Sequence, residues 1–358
     1  MKASVSVDRA ALRSSLLAWY DRQARSLAWR VSPADRREGV RPDPYRVWLS
    51  EVMLQQTTVP HATPYFLSFT QRWPTVSDLA AVEDGDLMAA WAGLGYYARA
   101  RNLLACARAV AGQHGGVFPD TEEGLRNLPG VGAYTAAAVA AIAFDRPANV
   151  VDGNVERVMS RLFAVETPLP DAKPDLKALA GELVTEERAG DWAQALMDLG
   201  ATVCKPKGPL CDLCPVSTWC EAFRGGAPET YPRKARKADR PRRHGVAYVL
   251  TRGDAVALVR RPPKGLLGGM LGLPTSDWRA TPYDDAEARE AAPFAADWRD
   301  RGAVEHVFTH FSLTLRVFAA SLDEGAEAPA AFVWTARLGL SALPSVFLKA
   351  ARAAERML

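Results

Sequence analysis

No apolar run in this 358-residue chain approaches the roughly 20 residues that a membrane-spanning helix needs, so a bilayer partner is not expected. The first residues carry Lys2, Asp8 and Arg9 with no apolar core behind them; no export signal is read, and the expected compartment is the cytoplasm. Charge of one sign is missing too. The 44 Lys and Arg against 41 Asp and Glu leave a formal +3, too little by itself to name nucleic acid as a partner. Histidine is scarce at five residues, and none begins the His-x-Glu half of a zinc deaminase. Cysteine is as scarce, but four of its five residues lie between positions 204 and 220. The composition is otherwise ordinary for a soluble chain, 48% hydrophobic and 24% charged, and the length suits two domains of a monomer.

From residue 8 to 223 the apolar residues recur at helical spacing, as in Leu12, Leu16, Trp19 and Tyr20, or Val155, Val158, Met159 and Leu162. Segments 121–127 and 133–144 are predicted as two helices joined by Leu128-Pro129-Gly130-Val131-Gly132. Residues 224–243 break the pattern with Gly225, Gly226, Pro228, Pro232 and Pro241, and Arg233, Lys234, Arg236, Lys237, Arg240, Arg242 and Arg243 crowd its end. That segment reads as a basic linker. Beyond it, apolar runs at 246–251 and 255–259 flank Arg252-Gly253-Asp254, a hairpin signature, and more strands are expected near 304–308 and 311–320. A second, α+β domain is placed over 244–358.

The clustered cysteines run Cys204-x6-Cys211-x2-Cys214-x5-Cys220, with Pro206, Gly208, Pro209 and Pro215 turning the chain between them. Thiolates at these separations can converge on one centre, either zinc or an iron–sulfur cube, and spacing leaves that choice open. The lone Cys106 reads as a small core residue. Gly130 and Gly132 suit a tight interhelical turn, or one whose amides face a phosphate at the next helix's N-terminus. Glu51 stands at the edge of an apolar helical stripe, either as a boundary glutamate in an ion pair or as a half-buried acid kept protonated. Asp152 precedes a helix and reads as an N-cap, a role that also holds a carboxylate rigid.

Several motifs carry a resemblance to a known family. The 6-2-5 cysteine spacing resembles the [4Fe–4S] loop of the endonuclease III superfamily, and Leu128-Pro129-Gly130-Val131-Gly132-Ala133-Tyr134 its helix-hairpin-helix. Glu51-Val52-Met53-Leu54-Gln55-Gln56-Thr57 resembles the signature of the MutY-type adenine DNA glycosylases. The implied fold is an all-α glycosylase domain with a [4Fe–4S] cluster loop held by Cys204, Cys211, Cys214 and Cys220, followed by an α+β Nudix-like domain. The implied partner is double-stranded DNA with adenine opposite 8-oxoguanine or guanine. The resemblance makes Glu51 the acid for the adenine ring and Asp152 the group that meets the cationic sugar, with Tyr134 and Asn154 steering the intermediate and water. Tyr134 stands where strand-cleaving relatives carry lysine, so a hydrolase without lyase activity is implied. Trp29, Arg30, Leu54 and Gln194 match base-pocket positions, and Gly130 and Gly132 match DNA-backbone positions. Gln56 and Tyr96 match the elements that fill the stack when a base is flipped out. Arg99 and Arg101, just after Tyr96, are read as phosphate contacts. Simple packing remains an alternative for Trp29 and Tyr96.

In the second half, Gly265-Leu266-Leu267-Gly268-Gly269-Met270-Leu271-Gly272 resembles a segment of the same family's Nudix-like domain. The glutamate cluster that a Nudix hydrolase needs for magnesium is absent, since Arg289-Glu290 is followed by Ala291-Ala292-Pro293. Phe308-Thr309-His310 matches the loop that reads 8-oxoguanine, with threonine in place of the usual serine; His310 alone would read as a surface histidine. The alternatives are a thymine–guanine mismatch glycosylase, a non-catalytic DNA-binding module with structural zinc, and a Nudix-type nucleotide hydrolase.

Overall fold

Short polar caps and prolines set the helix starts of the N-terminal half. Asp8 accepts from the Ala11 amide at 3.0 Å to open α1 (Arg9–Gln23), and Asp43 accepts from Tyr45 at 2.9 Å, with Pro44 in the first turn of α2 (Pro44–Met53). The structure, a computed structural model, describes residues 8–235, 240–262, 265–308 and 310–355. These form two compact units that divide between Arg236 and Lys237.

In the first unit, α3 (Val59–Arg72), α4 (Ala98–Gln113), α5 (Glu122–Arg126), α6 (Ala133–Phe144), α7 (Gly153–Leu162) and α8 (Ala189–Asp198) complete the frame of the site. Central to it is α6, buried continuously from Thr135 to Ala143 and packed against α2, α5 and α8. Its alanines let neighbours come close: a Cβ on Gly190 of α8 would lie 2.6 Å from the Ala141 carbonyl oxygen. The predicted turn between α5 and α6 is present. Gly130 holds φ +71°, and a Cβ there would meet the Asn102 side chain at 2.5 Å, so only glycine fits.

The second unit is a mixed sheet of β1 (Arg242–Arg252), β2 (Ala255–Arg260), β3 (Leu271–Gly272), β4 (Arg299–Val307), β5 (Ser312–Leu322) and β6 (Val333–Ala336). Its order is β3-β2-β1-β5-β4, with β6 also on β2. The expected β1–β2 hairpin forms, while β1 and β5 run parallel from Arg242↔Ser312 to Arg252↔Leu322. Along β1, Ala247 and Val249 face a core closed by α9 (Ser345–Glu355), while Val246, Tyr248 and Leu250 face a second core with Trp298 and Phe318.

The linker is narrower than composition implies. Residues 221–224 are helical, Tyr231 is buried, and Leu169 exchanges backbone hydrogen bonds with Arg233 at 2.8 Å and Ala235 at 3.3 Å. The Tyr231 carbonyl also accepts from the buried Arg161 Nε at 3.1 Å. These pairings are tertiary, so a glycine- and proline-rich stretch conceals them. A chain ending at residue 236 should melt cooperatively on its own. One ending at 229 should lose about 1–3 kcal/mol, because Arg161 is left with an unmet buried donor. Circular-dichroism melts of the two chains make the comparison; equal stabilities would show that 230–236 is an ordinary tether.

Candidate active site

A cavity of about 390 Å³ in the first unit collects residues from five separate stretches of sequence. Trp29, Arg30, Glu51, Leu54, Gln56, Tyr134, Asp152, Asn154 and Gln194, all named from sequence, line it. Gly130, Gly132 and Tyr96 are not among its lining residues.

Glu51 sits in the last turns of α2, 8% exposed, and accepts a hydrogen bond from the Tyr134 hydroxyl at 2.9 Å. Burial pushes its carboxyl up to about 7. The Tyr134 hydrogen bond works against that rise, Asp152 adds to it, and Arg30 opposes it. The Tyr134 phenol is itself driven well above its usual range, by burial first and then by the Glu51 and Asp152 charges, so it remains a donor. Asp152 caps α7, accepting from the Val155 amide at 2.8 Å and from the Asn154 side-chain amide at 2.9 Å. The expected N-cap and the carboxylate aimed at the cavity are therefore one residue.

Four supporting residues escaped the sequence reading. Fully buried Asp198 accepts from Arg30 at 2.6 Å and from Arg25 Nε at 2.6 Å, which fixes the Arg30 guanidinium at the cavity wall. Arg157 donates to the Asn154 side-chain oxygen at 2.8 Å, to the Gly200 carbonyl at 2.7 Å and to the Cys204 carbonyl at 2.8 Å. Arg161, one turn on, donates to Cys204 Sγ at 3.2 Å and to the Lys205 carbonyl at 2.7 Å. The usable signal was a pair of like charges four residues apart on one helix, unfavourable unless a neighbour neutralises them.

The chain leaves α8 through a π-helical turn at Leu199–Val203 and enters the cysteine loop. Cys204, Cys211, Cys214 and Cys220 form no disulfide and line one cavity beside Arg161. Burial pushes the Cys211, Cys214 and Cys220 thiols up, Cys214 to about 12, so a ring of bare thiolates would be costly there. Among the described residues, no three His, Cys, Asp or Glu side chains close on a single ion. Cys106 is a buried core residue as expected.

Arg99 corrects the reading of it as a phosphate contact. Its guanidinium turns inward onto the backbone carbonyls of Val52, Met53, Gln55, Leu94 and Gly95 and has no donor left to offer DNA from either terminal nitrogen. Arg101 is exposed.

In the second unit, Phe308 packs on Trp278, Phe311 and His306 with ring centroids 5.7, 4.9 and 4.5 Å away, and exposed His310 follows it. Thr309 lies outside the described residues. Glu287 of this unit pairs with Arg279 and takes part in capping its own helix.

Residues 49–183 match the family model for the HhH-GPD superfamily of base excision DNA repair proteins, and 245–353 match that of the NUDIX domain. A solved thermostable thymine-DNA glycosylase is 28% identical with a TM-score of 0.52, covering 61% of this chain and 97% of its own. The class is thus a helix-hairpin-helix base-excision glycosylase carrying a Nudix-like domain. The adenine DNA glycosylase of Homo sapiens is 37% identical over 368 residues, 87% of this chain and 67% of its own. That of Mycobacterium tuberculosis (strain ATCC 25618 / H37Rv) is 39% identical over 250 residues, 69% of this chain and 77% of its own. This chain belongs to the adenine DNA glycosylase family.

The raised Glu51 carboxyl has a measurable cost. In the unfolded chain it titrates near 4.5, and in the fold at about 7. Between those values the folded state binds more protons, so rising pH should weaken the fold by up to roughly 3 kcal/mol through this group. Glu51→Gln should therefore gain stability relative to the parent between pH 5 and pH 8 in urea unfolding. A gap that does not change with pH would mean that Glu51 titrates normally in the fold.

Proposed function

We propose that this adenine glycosylase hydrolyses the N-glycosidic bond of adenine opposite 8-oxoguanine or guanine in duplex DNA, without cleaving the strand. The observation that carries the reading is the pairing of a buried, phenol-bonded Glu51 with the capped Asp152 in one cavity. Losing a base leaves an oxocarbenium-like sugar and a poor leaving group, which calls for an acid at the base and a carboxylate at the sugar. Glu51 holds its proton near neutrality and delivers it to a ring nitrogen of adenine. Asp152, oriented by Asn154 and the Val155 amide, stabilises the cation or bonds to the sugar carbon; Tyr134 and Asn154 direct the water. Tyr134 occupies the position from which a lysine would attack, and a phenol forms no imine.

The cysteine loop fits a [4Fe–4S] cluster, with Cys204, Cys211, Cys214 and Cys220 as ligands around one cavity and the Arg161 guanidinium against Cys204. Such a cluster would supply a covalent cross-link that fixes the loop, because glycoside hydrolysis moves no electrons. The second unit, through Phe308, Thr309 and His310, would read 8-oxoguanine. A Nudix hydrolase reading is disfavoured by the sequence, in which Arg289-Glu290 is followed by Ala291-Ala292-Pro293.

Single-turnover assays on duplexes with adenine or thymine opposite 8-oxoguanine or guanine, developed with alkali, test the reaction. Adenine should be released, preferentially opposite 8-oxoguanine, and thymine should not. Glu51→Gln should bind the duplex and release nothing, and Asp152→Asn should lose roughly 10²–10⁴ in rate. Borohydride should trap no protein–DNA adduct; efficient trapping would identify an amine nucleophile and end the monofunctional reading. The purified protein should carry about four irons per chain with absorbance near ~400 nm, both lost in Cys214→Ser. Stoichiometric zinc would replace the cluster assignment.

A further inference from the structure

Two residues read as entering the duplex, Gln56 and Tyr96, share a backbone feature unusual for side-chain-bearing residues. Their φ angles are +60° and +50°. For a residue with a Cβ the left-handed region is strained, and such strain persists only where the surroundings fix it. Gln56 lies in the turn that follows α2, and Tyr96 in the loop before α4; the two are 40 positions apart in sequence.

Arg99 joins them. Its Nη1 donates to the carbonyls of Val52 at 3.0 Å, Met53 at 3.2 Å and Gln55 at 2.5 Å, at the open end of α2 and the turn holding Gln56. Its Nη2 donates to Leu94 at 3.1 Å and Gly95 at 3.3 Å, on the loop holding Tyr96. The guanidinium lies 5.4 Å from the Trp91 ring and 5.5 Å from the Tyr96 ring. Helix-end carbonyls need donors, and a planar fork with two separate nitrogens can serve two loops at once where an ammonium cannot. The far side of the Tyr96 loop is tied to α3, where Tyr65 donates to the Ala92 carbonyl at 2.9 Å and His61 Nε2 lies 3.3 Å from the Gly93 oxygen.

We propose that Arg99 is a positioning residue that locks Gln56 and Tyr96 into one rigid pair of wedges, so that extrusion of the target base depends on a side chain that touches neither base nor phosphate. The proposal rests on the reading of Gln56 and Tyr96 as the residues that open the duplex.

Arg99→Lys and Arg99→Gln in the full chain test it, each also made in a Gln56→Ala/Tyr96→Ala background. The substrate is a duplex with adenine opposite 8-oxoguanine; a parallel duplex carries 2-aminopurine at the target site, whose fluorescence rises on leaving the stack. Both single variants should fold with a lowered melting temperature, because backbone carbonyls lose their donor, and bind with an unchanged salt slope, since no phosphate contact is lost. At saturating protein they should excise adenine roughly 10- to 100-fold more slowly, as expected for losing charge-assisted hydrogen bonds, and lose most of the fluorescence rise. In the wedge-deleted background the same substitutions should add almost nothing. Full rate and fluorescence in the single variants would overturn the proposal while leaving the wedges standing. So would an equal loss in both backgrounds, a salt slope reduced by about one, or failure of both variants to fold. If Gln56→Ala/Tyr96→Ala by itself opens and excises normally, the wedge reading fails first, independently of Arg99.

Discussion

A carboxyl group buried in a protein must keep its proton or meet a counter-charge, and the cavity of the first unit is arranged around the first outcome for Glu51. Its hydrogen-bond partner is a phenol, not a cation. Arg30, whose charge acts on Glu51, is held by an ion pair to the fully buried Asp198, which also takes Arg25. With that charge engaged, burial decides the state of Glu51. The helix that makes this possible is α6, whose alanines admit α2 and α8 at short range and whose first turn supplies Tyr134. A bulkier central helix would push the phenol and the carboxyl apart.

Much of this was legible in the sequence where chemistry is local. The α5–α6 turn needs glycine at Gly130 because its backbone is left-handed, and Asp152 as an N-cap follows from its place before an apolar helical repeat. The strong strands β1, β2, β4 and β5 could be found, whereas β3 and β6, two and four residues long, carry too short a pattern. What stayed hidden depends on partners far along the chain. Arg99 looks like a surface cation beside a loop until its five carbonyls are seen, and residues 224–235 look like a tether until Leu169 and Arg161 claim their backbone. The catalytic pair itself was proposed from family resemblance; composition and periodicity left a boundary glutamate and a capping aspartate.

Arginine carries much of the hidden organisation. Arg157 and Arg161 leave one face of α7 for the loop that holds the cysteines, and between them they satisfy carbonyls of Gly200, Cys204, Lys205, Pro206 and Tyr231. Loops without regular structure cannot bury unmet carbonyls, so a planar multi-donor side chain substitutes for a strand or helix neighbour. The same device recurs at Arg99. Replacing any of the three by lysine preserves charge and removes the geometry that matters.

The parallel pairing of β1 with β5 has a consequence for how the chain matures. Eleven consecutive positions of β1 align with a strand about 70 residues downstream, so the centre of that sheet cannot close until residue 322 is available. The helical unit ends before the sheet begins and faces no such wait. Non-local strand pairing is slow and local helix packing is fast. On the ribosome, the unit with the chemistry is therefore free to reach its native state while the sheet that follows is still waiting for its central neighbour.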